Sequence, residues 1–78
     1  MKLKQVGRNQ TILETSQATL FFSYETPVVL WIKGKFFKTD KYFSRTTSKH
    51  ISQFLNGAKA ETVPQSFIES FLEDRGTN

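Results

Sequence analysis

Between Leu3 and Ser44 the apolar residues fall in short clusters rich in Phe, Val, Ile and Thr. The clusters are broken by Gly7-Arg8-Asn9, Ser16-Gln17, Glu25-Thr26-Pro27 and Lys33-Gly34. Runs of β-branched and aromatic residues bounded by turn formers read as strands. The spacing predicts an antiparallel meander with strands over 3–6, 10–15, 18–24, 28–32 and 35–39, the last extending towards Tyr42 and Phe43. After Ser44 the period changes, because Ile51, Phe54, Leu55 and Ala58 stand at i, i+3, i+4 and i+7, the stripe of an amphipathic helix. Thr46 or Thr47 is its expected cap and Asn56-Gly57 its stop. A second helix is predicted from Thr62-Val63-Pro64-Gln65, where Thr62 and Gln65 fit a capping box, with Phe67, Ile68, Phe71 and Leu72 as its apolar face. Strands followed by helices imply an α+β fold: a sheet of four to five strands with both helices packed on one face.

Length sets the scale of this fold. The 78 residues make one domain, expected over 1–74 with a frayed tail over 75–78. A core this small must use nearly all its large side chains, and eight Phe, one Trp and two Tyr supply the bulk. The absence of cysteine excludes disulfides, a thiol nucleophile and a thiolate metal cluster, and His50, the only histidine, cannot build a histidine site alone. No cofactor or metal is expected. The longest apolar run, 28–32, is too short to cross a bilayer, which points to a cytoplasmic protein with no membrane contact.

Charge changes the picture more. Residues 1–59 carry ten Lys or Arg against Glu14, Glu25 and Asp40, whereas residues 60–78 carry Arg75 against Glu61, Glu69, Glu73 and Asp74. A basic segment of this kind suits a phosphate-bearing partner, since Lys and Arg contacts release counterions from nucleic acid. The competing reading is a solvated surface of a basic protein.

Two places carry sharper chemistry. A two-residue turn at Lys33-Gly34 pairs Ile32 with Lys35, Trp31 with Phe36, Leu30 with Phe37 and Val29 with Lys38. Val28, Leu30, Ile32 and Phe37 then share one face, and Trp31 and Phe36 share the other beside Lys33 and Lys38. Rings between lysines can stack unpaired bases, or they can be core or an oligomer contact. The second place is Arg45-Thr46-Thr47-Ser48-Lys49-His50, where cations and hydroxyls surround a helix start. There Thr46, Thr47 and Ser48 could hold an anion from outside or a carboxylate such as Glu69 or Glu73. His50 lacks an identifiable nucleophile and orienting group, and Glu69 and Glu73, one helical turn apart, are better read as solubilising. No Gly-rich phosphate loop or nucleophile elbow is present, so catalysis is not expected.

Val6-Gly7-Arg8-Asn9, Leu13-Glu14-Thr15, Phe22-Ser23-Tyr24-Glu25-Thr26-Pro27-Val28 and Ser44-Arg45-Thr46-Thr47-Ser48-Lys49-His50-Ile51 resemble a family of small proteins encoded by bacteriophages and bacterial mobile elements. The resemblance runs up to Gly57-Ala58-Lys59-Ala60 and implies a phage-type setting in a bacterial host. It supplies no reaction, ligand or catalytic residue. The expectation is therefore a non-enzymatic accessory protein that binds nucleic acid through Lys33, Lys35, Lys38, Arg45 and Lys49, with Trp31 and Phe36 as stacking residues. The alternative is a protein-interaction or structural module: a host-factor inhibitor, a virion accessory or a self-associating protein.

Overall fold

A computed structural model describes the backbone of residues 2–76 and the side chains of residues 3–72. Five strands follow one another as the clustering predicts: β1 (Lys2–Gly7), β2 (Gln10–Glu14), β3 (Thr19–Ser23), β4 (Thr26–Ile32) and β5 (Lys35–Thr39). Each pairs antiparallel with the next. The β4–β5 hairpin turns on Lys33 and Gly34, both at positive φ (48° and 84°), the condition of a tight two-residue turn whose twist matches the strands it joins. It sets the expected register, with Trp31 opposite Phe36, Leu30 opposite Phe37 and Val29 opposite Lys38.

Helix α1 (Arg45–Leu55) then leads to β6 (Ala60–Val63), which pairs parallel with β5 and completes a six-stranded sheet in the order β1 to β6. Parallel neighbours need a crossover of a dozen or more residues, and α1 with its flanking loops is that crossover. Helix α2 (Gln65–Gly76) closes the chain. The α+β class holds, but three details differ from expectation. The sheet has a sixth strand, and Thr62 belongs to it, so no capping box forms with Gln65. Tyr42 and Phe43 do not extend β5. Of the tail expected over 75–78, Thr77 and Asn78 lie outside the described residues.

The helices also cover opposite faces. Adjacent strand residues point to opposite sides. Leu20 and Leu30 join Leu13, Ala18 and Ile68 of α2 in one cluster, while Phe21 and Val29 join Phe54, Ile51 and Leu55 of α1 in another. The reason lies in the runs Leu20-Phe21-Phe22 and Val28-Val29-Leu30, which are apolar on both sides, as strands covered on both faces are. A bulge opposite Phe21 and Phe22 puts Val28 with Val29 on the α1 face, so it does not share a side with Leu30 and Ile32.

Candidate nucleic-acid interface

Residues 33–59, from the β4–β5 turn through α1 to β6, hold Lys33, Lys35, Lys38, Lys41, Arg45, Lys49 and Lys59 against one acid, Asp40. The fold spreads them along β5 and the helix above it. Lys33 stands exposed at the turn, and Lys35 and Lys59 meet at an open depression with Phe36, Phe37, Ala60 and Glu61. At the other end of β5, Lys38 and Lys41 line a second depression with Asp40, Tyr42, Ser48, Ile51 and Ser52. With a rise of about 3.4 Å per residue, the two ends of β5 are roughly 14 Å apart. On α1, Arg45 and Lys49 are exposed one turn apart, and Ser48 and Ser52, also one turn apart, form the wall towards Lys38.

The segment is positioned by a short polar chain under α1. Ser23 Oγ, in β3 and only 1% exposed, hydrogen-bonds His50 Nδ1 at 2.7 Å and Thr47 Oγ1 at 3.1 Å. The Phe54 ring stacks on Phe21 at 4.3 Å, and the Tyr24 ring tilts over His50 at 5.9 Å. Buried hydroxyl and imidazole groups that pair with one another fix one helix position, because every other position leaves them unpaired. The Ser23 hydroxyl is thus an internal link between sheet and helix.

Ser44 caps α1, not Thr46 or Thr47. Its hydroxyl accepts from the Thr47 N–H at 3.1 Å, and its carbonyl accepts from the Ser48 N–H at 3.0 Å. Of the three residues expected to hold an anion, Thr47 is turned inward to Ser23, while Thr46 and Ser48 remain at the surface. Asn56, in the left-handed region with φ 47°, ends the helix, so Ala58 lies beyond the helix whose stripe it was expected to extend.

The hairpin pair separates as well. Phe36 is drawn into the core with its edge against the Phe54 ring at 6.2 Å, whereas Trp31 stays 40% exposed in a depression with Lys33, Thr15, Ser16, Gln17 and Phe71. Sequence reasoning missed Lys41, Tyr42 and Lys59. Tyr42 is 70% exposed, and the Lys41 ammonium lies 5.3 Å from the centre of the Phe43 ring. The lysine spacing of β5 continuing past Asp40 was the available signal.

Across the sheet the chemistry reverses. Glu69 is exposed on α2 and accepts from Gln65 Nε2 at 3.2 Å, and the same helix contains Glu73 and Asp74 against Arg75. Among the described residues no group of acidic and histidine side chains could hold a metal ion, and no helix is long and apolar enough to cross a membrane. The chain belongs to a family of unknown function, DUF8033, whose profile matches residues 1–70. No curated protein and no solved structure matches it.

Proposed function

We propose that this protein is a non-enzymatic nucleic-acid-binding accessory protein, encoded by a phage or related mobile element and acting in the bacterial cytoplasm. The observation that carries the reading is the seven-to-one excess of cations over residues 33–59, with the acidic helix α2 across the sheet from α1. Lys38, Lys41, Arg45 and Lys49 flank one side of the molecule and hold phosphates there, while Lys33 and Lys59 extend the strip along β5; Lys35, opposite Ile32, is on the α2 face at the sheet edge. The Ser23–His50 link keeps α1, and with it Arg45 and Lys49, in fixed relation to Lys38.

Affinity for a short oligonucleotide, followed by anisotropy over a salt series, tests this. Four neutralised phosphates give a slope of log affinity against log salt of about −3 to −4. Lys38→Glu and Arg45→Glu should each weaken binding and flatten the slope by about one, while Glu69→Lys on α2 should not weaken it. Failure to bind at low salt, or binding indifferent to salt, overturns the proposal.

A second reading rests on β1. Neither core cluster includes a β1 residue, Leu3 is 70% exposed, and one edge of the strand is unpaired. An extended segment of a host protein or another copy could add there as a further strand. Light scattering that shows a concentration-independent monomer, together with no protein partner retained, counts against it.

A further inference from the structure

Two exposed rings, Tyr42 and Trp31, stand at opposite ends of the basic strip, each beside a lysine. Tyr42 shares its depression with Lys38, Lys41, Ser48 and Ser52, and Trp31 shares its own with Lys33. Neither ring has an aromatic partner among the described residues, unlike Phe36 and Phe54, which are stacked or edge-on in the core. We infer that the strip takes an unpaired strand, with one base stacked on Tyr42, another on Trp31, and the intervening phosphates on Lys38 and its neighbours.

The inference rests on the nucleic-acid reading above and adds the state of the strand. A duplex keeps its base faces inside its own stack and offers phosphates to the lysines but nothing to exposed rings. A single strand offers both, and a ring under a base is worth far more than a ring in water. Lysine next to each ring is the pairing such a strand needs, since each stacked base brings its own phosphate. Ser48 and Ser52 add hydroxyl donors on the helix wall of the depression that holds Tyr42 and Lys38.

The experiment compares one oligonucleotide of about twelve nucleotides, as single-stranded DNA, single-stranded RNA and duplex, against the whole protein at one salt concentration. The single-stranded forms should bind at least tenfold tighter than the duplex. Because Trp31 is the only tryptophan, its fluorescence should be quenched by the single strand and little changed by the duplex. Tyr42→Ala should weaken single-strand binding roughly 5- to 150-fold and leave duplex binding unchanged, and Tyr42→Phe should restore most of the loss. Tyr42 is largely exposed, so its replacement leaves the fold intact, which an unchanged unfolding midpoint verifies. Equal or tighter duplex binding, with Tyr42→Ala silent, overturns this inference and leaves the nucleic-acid reading standing. The absence of binding to all three overturns both. A DNA or RNA preference distinguishes the source of the strand.

Discussion

The two helices cover opposite faces of one sheet and are held there by different physics. α1 is closed by Ser44 at its start and Asn56 at its end, and it is linked to β3 through Ser23, Thr47 and His50. α2 follows Pro64 and rests on apolar contacts: Ile68 in the core, and Phe67 between the Phe37 and Phe71 rings. Its described polar tie to the sheet is Gln65 Nε2 donating to the Pro27 carbonyl at 2.8 Å. α1 carries Arg45 and Lys49 with no acid, and α2 carries three acids and one arginine. Apolar burial is non-directional and fixes a face, whereas paired buried polar groups fix a position. The helix that carries cations and no acid is the one linked to the sheet by a buried polar chain.

The largest effects come from removing the side chain at the centre of each face. Phe21→Ala deletes a fully buried ring stacked on Phe54 and should cost about 3–5 kcal/mol; Ile68→Ala should cost about 2–5 kcal/mol. Against a total stability on the order of 5–15 kcal/mol, either change is severe, and urea midpoints measure both. In Ile68→Ala, amide exchange should speed up in α2 more than in α1; equal acceleration would mean that the two helices are not held separately.

The directional link is the next target. Ser23→Ala leaves the Thr47 hydroxyl and His50 Nδ1 without their buried partner and should cost about 1–3 kcal/mol. Gln65→Ala on the other face loses the bond to Pro27 and an exposed one to Glu69 but also removes Oε1, a buried oxygen with no partner, so its cost should be at most about 1 kcal/mol. If Gln65→Ala proves the more damaging in urea unfolding, the contrast between directional and apolar anchoring fails.

Local chemistry made the meander legible. Turn residues at Lys33-Gly34 and alternating clusters fix strand register over a few residues, and the hairpin pairing was readable from them alone. The sixth strand was not, because Ala60-Glu61-Thr62-Val63 carries no alternation of its own and becomes a strand through β5, after α1 has brought it alongside. The side taken by each helix was illegible for a related reason: runs such as Leu20-Phe21-Phe22 demand cover on both faces without saying which helix supplies which. In the candidate interface the lysines were visible by counting. Their grouping was not, since it depends on α1 folding back over the sheet, and this also made Tyr42 a neighbour of Lys38.

The smallest effect separates two hydroxyls that sequence spacing could not. Both Ser44 and Thr46 precede the apolar stripe of α1, and either is chemically able to accept a backbone N–H there. The extended backbone at Ser44, φ −166° and ψ 167°, aims its hydroxyl at the Thr47 N–H, whereas Thr46 is already inside the helix and exposed. Ser44→Ala should therefore cost about 1 kcal/mol, lowering the melting temperature by roughly 4–8 °C for a domain of this size. Thr46→Ala should stay within about 0.5 kcal/mol. Because α2 has no share in this cap, exchange in Ser44→Ala should rise in the first turn of α1 and leave α2 unchanged. A matching rise in both helices would show that α1 is not separately anchored and would undo the distinction between them.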